Sequence, residues 1–339
     1  MNTAAWLPVL HGASGDSPDE VDTIVSAQAI SAALCDLGWR SDLVFLGADL
    51  AAVDSLKNGA AALVFNLVEA IEDDSSQAWR APAALAKVEL AFTGAGEQAQ
   101  WLCRSKTAVK QRLRDAGLPT PDWSDGAQVM PTANQVIVKS DREHASVGLS
   151  AASVVPAADA SREIARCNRA FSHPFFAEAF VDGREFNLSV LPADGTLHVL
   201  PAAEIDFIDY PPGSVRIVDY AAKWEPNSHA YQNTPRRFEF TAADRMLIAE
   251  LESLALATCQ VLQVNTYARV DFRVDQQGRP YILEINLNPC IAPDAGFTAA
   301  ALRAGLSYSE MLSQIIKAAH PGLGPPNRPQ GQIKNYVAH

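Results

Sequence analysis

"ARVDFRVDQQGRPYILEINLNPC", residues 268–290, reads as two short strands around a turn. In the first run Ala268, Val270, Phe272 and Val274 share one face, and Arg269, Asp271 and Arg273 share the other. In the second, Tyr281, Leu283, Ile285 and Leu287 oppose Ile282, Glu284 and Asn286. With Asp275 to Pro280 as the turn, Val274 pairs with Tyr281, Asp271 with Glu284 and Arg269 with Asn286. Two carboxylates then lie side by side. At a separation of about 5 Å and an effective dielectric near 20 their repulsion is roughly 3 kcal/mol. In a purely structural hairpin Arg269 or Arg273 offsets that repulsion. In the other reading, the carboxylates and the Asn286 oxygen form an all-oxygen set suited to Mg²⁺, which completes its octahedron with water and phosphate oxygens.

The chain has 339 residues, enough for two or three domains and a sizeable core. Lys plus Arg total 27 against 39 for Asp plus Glu, a net charge of −12, with no basic block or basic-aromatic stripe. Nucleic acid and anionic membrane are therefore poor matches as partners, and any phosphate ligand must meet local positive charge. Met1 to Leu10 lacks a basic segment leading into a long apolar run, and no stretch approaches a membrane span, so a cytoplasmic protein is expected. Cys35, Cys103, Cys167, Cys259 and Cys290 are scattered and form no C-x-x-C, which argues against a disulfide framework or a zinc site. Only Cys290 sits beside candidate chemistry, and no histidine lies near it in sequence to activate it.

Upstream of the hairpin the first hundred residues alternate strand and helix signals: "WLPVL", a helix from Asp19 to Leu37, "LVFL", a short helix, "ALVFNL", a helix near Gln77 to Val88, and "AFTG". Such alternation predicts a parallel sheet with crossover helices. "HGASGD" after the first strand resembles a phosphate-binding turn only loosely, and a tight turn explains its glycines equally well. A helix is expected from Ser105 to Ala116. The strand "NQVIVKS" then delivers Lys139 to a polar loop, and "FFAEAFVDGREFNLSVL" carries Glu178 and Glu185 on either side of a turn. Asp209 to Arg237 reads as a long loop holding Lys223, of the kind that serves as a lid. Helices from Ala242 to Leu262 and from Tyr308 to Ala319 flank the hairpin, and a Pro- and Gly-rich tail follows.

Taken together, "LVFNLVEAIEDD", "AFTGAG", "RSKTAVKQRLRDAGLPTP", "VIVKSDREHASVGLS", "AEAFVDGREFNLSVL", "VDYAAKW", the hairpin and "AALRAGLSYSEMLSQII" resemble, in order, the ATP-grasp enzymes and among them the D-alanine–D-alanine ligases. The likeness spans roughly residues 5 to 319. It implies a mixed α/β and α+β architecture: a parallel-sheet domain over residues 1–98, two ATP-grasp subdomains over 99–180 and 181–319, and a tail over 320–339. The implied chemistry is phosphorylation of a carboxylate by ATP, with Mg²⁺ or Mn²⁺ as two bound ions, followed by attack of an amine on the acyl phosphate. By the same resemblance Lys106 and Lys139 meet ATP phosphates, with Ser146 in the loop beside them. Glu178 and Val181 meet adenine, Glu185 the ribose, and Lys223 the γ-phosphate. Asp271, Glu284 and Asn286 hold the metal, and Arg269 stabilises the oxyanion. The implied partners are small amino-acid-like molecules, and a homodimer agrees with the habit of the family.

The substrate-facing segments depart from the family. "NLVEAIEDDSS" keeps Glu72 and Asp73 but lacks the family's His-Gly and glycine loop. Cys290 replaces a glycine of the oxyanion site, and Asp294 stands where a hydroxyl would receive the acceptor's carboxylate. His144 and Ala145 replace Gly and Ser. Asp19, Glu20 and Asp22 compete for the acid that binds the donor's ammonium, with Asp22 nearest by register. These changes predict an acceptor other than D-alanine, lacking a carboxylate or bearing an amine, as in a ligase or cyclase of specialised metabolism.

Overall fold

The computed structural model describes residues 4–15, 17–126, 133–142, 146 and 148–324. His144, Ala145 and tail residues 325–339 lie outside the described residues. At the start of the chain β1 (Val9–His11), α1 (Pro18–Asp36), β2 (Leu43–Phe45), α2 (Ala51–Asn58) and β3 (Phe65–Asn66) build a parallel sheet in the order β2-β1-β3. Parallel neighbours require crossovers, and the helices bury both faces of the sheet. Val9 and Phe65 pack with Ile30 and Leu34 on one side, while Leu10 and Val64 pack with Leu46 and Leu56 on the other. A Cβ at Gly12 would lie 2.0 Å from the Ala70 carbonyl oxygen, so close backbone approach accounts for this glycine.

Next come α3 (Arg80–Lys87), α4 (Glu97–Cys103) and α5 (Lys106–Asp115). The expected helix at 105–116 is therefore preceded by another, and the break falls where Ser105 caps α5, accepting from the Ala108 amide at 3.2 Å. An antiparallel sheet follows, made of β4 (Trp123–Ser124), β5 (Gln135–Ser140), β6 (Val154–Pro156) and, after α6 (Ala160–Phe171), β7 (Phe175–Ala179), in the order β4-β7-β5-β6. The chain then changes sheets at residues 180–182. β8 (Gly183–Ala193) begins a second antiparallel sheet with β9 (Thr196–Val199) and β10 (Ala203–Ile205).

The long loop is not featureless. It folds α7 (Tyr220–Trp224), capped by Asp219, then α8 (His229–Gln232) and β11 (Arg236–Arg237). After α9 (Arg245–Val261), the hairpin of β12 (Ala268–Asp275) and β13 (Pro280–Asn286) completes the order β11-β10-β8-β12-β13. Asp271 pairs with Glu284 and Arg269 with Asn286, as the alternation requires. Val274, however, pairs with Pro280 rather than Tyr281, because a bulge between the Phe272–Ile282 and Asp271–Glu284 pairs leaves Leu283 extra. The bulge reassigns faces: Ile282 joins Ile285 in the core, and Leu283 turns to the cleft beside Glu284. Finally α10 (Gly296–Arg303) and α11 (Tyr308–Ala319) pack onto the first sheet. Among the described residues no helix is long and apolar enough to cross a membrane.

Candidate active site

One face of the second antiparallel sheet is a polar ladder. β8 alternates Phe186, Leu188 and Val190 into the core, leaving Glu185 and Asn187 opposite Arg273 and Asp271 of β12. The partners meet directly: Arg273 donates to Glu185 at 2.6 Å, and Asn187 donates to Asp271 at 2.8 Å. Arg269 clamps Asp271 with two hydrogen bonds, Nε to Oδ1 at 2.7 Å and Nη2 to Oδ2 at 2.9 Å. Lys106 lies 3.4 Å from Glu284. The like-charge pair is thus offset by two cations, and Arg269 takes the structural role open to it without losing its place at the cleft.

Lys106 is delivered by the start of α5, which is tied to the first antiparallel sheet. The Lys106 amide donates to the Asp141 carbonyl at 2.9 Å, and the Thr107 amide donates to the Asp141 side chain at 2.8 Å. On that sheet Glu178 pairs across from Ile137, one step along the face from Lys139. Its buried carboxylate meets Lys139 at 2.5 Å and Lys110 at 2.6 Å. Burial alone would raise the Glu178 pKa, but the two ammonium groups hold it below the usual carboxylate range. Burial is also the largest influence on Lys110 and lowers its pKa despite Glu178. For Lys139 burial is outweighed by Glu178 and then Glu284, so its pKa is raised.

Between the two antiparallel sheets lies a cleft. Lys106, Lys139, Ser146 and Glu178 line it from one side, Val181 from the junction, and Glu185 from the sheet of β8 and β12. Lys223, Arg269, Asp271 and Glu284 line it from the other. The loop closes over it: Ser146 Oγ donates to the Val218 carbonyl at 3.4 Å, and Arg273 donates to the Arg216 carbonyl. Burial, then Arg269, lowers the pKa of Lys223. Burial opposes the Arg269 charge, yet Asp271 and Glu284 raise its pKa on balance.

Asn286 lies in an adjoining cavity with Asn288, Asp19, Glu69 and Asp73. Its Oδ1 accepts from the Asn288 amide at 3.0 Å. Asp271, Glu284 and Asn286 can each offer a hard oxygen atom, and although Asp271 Oδ1 already accepts from both Asn187 and Arg269, its Oδ2 accepts from Arg269 alone, so the set suits Mg²⁺ supplemented by phosphate and water. Among the described residues no group of three His, Cys, Asp or Glu side chains is gathered where it could hold a metal ion.

The remaining predicted residues divide. Asp22 meets the Cys290 thiol, and Cys290 Sγ lies 3.4 Å from Ser26 Oγ. Burial, then Asp22, pushes the Cys290 thiol up to about 12, so it stays protonated and is unsuited to nucleophilic work. Asp294 is exposed but adds to the negative field at Asp22. Glu20 is engaged elsewhere, accepting from the Ser14 amide at 3.0 Å and hydroxyl at 2.9 Å. Glu72 is exposed in a left-handed turn, φ 51°, and lines neither cavity. Its place is taken by Glu69, which the sequence reading passed over. Water reaches Glu69 within the cleft, while protein crowds it at longer range. That loss of bulk solvent, then Asp22 and Asp19, pushes its carboxyl up to about 8. Lys110 was also missed, although its i,i+4 spacing from Lys106 puts both on one helix face.

Comparison with known proteins bears on the same segments. The family described as D-ala D-ala ligase C-terminus matches residues 127–317. A D-alanine--D-alanine ligase of Albidiferax ferrireducens is 30% identical over 247 residues, covering 70% of this chain and 66% of the relative. An uncharacterized protein of Sinorhizobium fredii, y4sG, is 28% identical over 262 residues, covering 76% of this chain and 74% of the relative. The Bacillus anthracis D-alanine--D-alanine ligase, solved in complex with ATP, shares the fold with a TM-score of 0.70 at 20% identity, covering 93% of this chain and 97% of that one. With its parallel sheet, its two antiparallel sheets facing one cleft and this match over more than half its length, the chain belongs to the D-alanine–D-alanine ligase family of ATP-grasp proteins.

Proposed function

We propose that the protein is an ATP-dependent carboxylate–amine ligase that joins two amino-acid-like substrates through an acyl phosphate, releasing ADP and phosphate. The observation that carries this reading is the convergence of Lys106, Lys139, Lys223 and Arg269 on one cleft beside the Asp271–Glu284 pair. Phosphoryl transfer needs positioning and charge neutralisation more than covalent help, and this is a set of parts for that purpose. Lys106 and Lys139 neutralise phosphate oxygens, and Glu178 keeps the Lys139 ammonium charged and in place. Lys223, carried by the loop, reaches the transferred phosphoryl group and brings the cover that excludes water. Arg269, fixed by Asp271, keeps its guanidinium beside the carbonyl carbon at which the amine attacks. Bound by Asp271, Glu284 and Asn286, Mg²⁺ would supply further neutralisation of the phosphate oxygens.

The test is phosphate release by purified protein with ATP and Mg²⁺ across D- and L-amino acids and simple amines, with the product identified by mass spectrometry. Amide product in step with phosphate is expected. Asp271→Asn and Glu284→Gln should each lower kcat at least about a hundredfold while leaving the far-ultraviolet dichroism unchanged. Wild-type turnover in either variant would remove the metal assignment, and phosphate release without any coupled product would remove the ligase.

A further inference from the structure

Of the polar side chains that β12 turns to the cleft, the ligase reading employs Arg269 and Asp271 and leaves Arg273 without work. Arg273 is only 4% exposed. A guanidinium withdrawn from water is retained where its fixed fork of donors meets acceptors, so the acceptors show what the residue does. Nη1 donates to the Gly183 carbonyl at 3.1 Å, where β8 leaves the junction between the two antiparallel sheets. Nη2 carries two N–H groups, and it donates to Glu185 Oε2 at 2.6 Å and to the Arg216 carbonyl.

These last two acceptors belong to different parts of the site. Glu185 lies on β8, at the place expected to meet the ribose of ATP, and among the described residues its second carboxylate oxygen accepts from no protein donor. That oxygen remains for a hydroxyl of a ligand in the cleft. Arg216 lies in the loop, where Ile217 and Val218 line the cleft wall and Lys223 follows on α7. The earlier limb of the loop meets Arg273 too, with the Phe207 ring centroid 5.5 Å from its Cζ. Phe207 packs edge-on against Tyr210, and Tyr210 against His229 of α8. One buried side chain thus touches the sugar-facing carboxylate and both limbs of the loop that carries Lys223.

The geometry points to Arg273 as a positioning residue that couples the sugar of the nucleotide, held at Glu185, to the seating of the loop and hence of Lys223. The inference rests on the ligase reading and deepens it, since it says how the sugar end of the nucleotide acts on the phosphate end. The guanidinium is planar and its two Nη2 hydrogens point in fixed directions, so a Glu185 held by a sugar hydroxyl keeps Nη2 aimed at the Arg216 carbonyl. By linkage, the seated loop raises the affinity for the sugar by the factor by which the sugar favours the seated loop. A mere fastener between loop and sheet would hold the loop equally well whatever occupied Glu185.

The probes are a nonhydrolysable ATP analogue and the same analogue lacking both ribose hydroxyls, each saturating, with Mg²⁺, on the full-length protein. Amide hydrogen exchange across residues 206–219 reads the loop. In the wild type the hydroxylated analogue should slow that exchange at least about tenfold more than the dideoxy form, and should bind at least about tenfold more tightly. Arg273→Met keeps most of the bulk of the side chain and removes its donors. It should reduce both differences to about twofold or less while far-ultraviolet dichroism stays unchanged. Equal protection by the two analogues in the wild type, or an undiminished difference in Arg273→Met, would overturn the inference and leave the ligase standing. Should Arg273→Met fail to fold, Arg273→Lys decides. Its single ammonium cannot hold both acceptors in fixed directions, so most of the difference should be lost, and retention of the full difference overturns the coupling. Failure of the hydroxylated analogue to bind the wild type would instead strike the proposed function.

Discussion

Glu69 carries a proton in the folded chain at pH values where an ordinary glutamate has lost it, because protein crowds its carboxyl and Asp22 and Asp19 lie near. Its folded pKa, about 8, stands above the ordinary 4.5. The native state therefore holds more protons than the unfolded state between those values, and stability contributed by the neutral form falls as pH rises through that window. Glu69→Gln mimics the neutral form at every pH. In the ligand-free protein the variant should match the wild type near pH 5 and exceed it near pH 9. The gain should be of the order of 1 kcal/mol, since water in the cleft screens much of the shift. Urea unfolding at the two pH values measures this, and an advantage that is equal at both would mean that the gain comes from packing rather than charge. The same residue marks a limit of legibility. "NLVEAIEDD" offers Glu69, Glu72 and Asp73 within a few positions, and local pattern cannot tell which one the turn after β3 leaves against the end of β13. The carboxylate pair was legible because antiparallel pairing within a hairpin is local, whereas the meeting of Glu69 with Asp22 depends on how β1 and β3 lie side by side.

At the scale of the element, the hairpin shows how a correct pairing survives a wrong register at its turn. Five residues of alternation in β12 place Arg269, Asp271 and Arg273 on one face, and that part needs no correction. In β13 both Ile282 and Leu283 are apolar, and neither glycine nor proline marks the bulge between them, so the sequence carries no sign of which residue is extra. The bulge moves Leu283 to the cleft and Ile282 to the core without disturbing the Asp271–Glu284 pair. Deleting Leu283 should therefore restore a regular ladder in which Ile282, Glu284, Ile285 and Asn286 keep their present sides. The expected outcome is a folded protein with a midpoint of unfolding close to wild type. Its KM for ATP should be raised about tenfold or more by loss of one apolar side chain from the cleft wall. A deletion variant that fails to fold would show that the bulge itself is needed to curve the strand. The sheet change between β7 and β8 has the same character: Glu178 and Glu185 are close in sequence, yet one faces the cleft from each antiparallel sheet.

Across the whole molecule the hydrophobic core does not respect the order of the chain. Val9 and Phe65 of the first sheet, Ile30 and Leu34 of α1, and Met311 and Ile315 of α11 belong to one buried cluster, which also takes in Leu191 and Leu200 at the far end of β8 and beyond β9. The first sheet thus lacks a private core on that side, and the last helix of the fold supplies part of it. Because the candidate cavity draws Asp19 and Glu69 from the first sheet's loops and Asn286 and Asn288 from the hairpin, this shared core also sets the distance between the two halves of the site. Ile315→Ala removes buried methyl groups from the middle of that cluster and should cost about 2–5 kcal/mol. If the cluster couples the first sheet to the hairpin sheet, urea will remove secondary structure and ATP-dependent phosphate release at the same, lowered concentration. If the variant instead loses phosphate release well before its secondary structure, the two parts unfold separately. The geometry of the site would then rest on contacts near the cleft, such as the Asp22–Cys290 pair, rather than on the packing of α11.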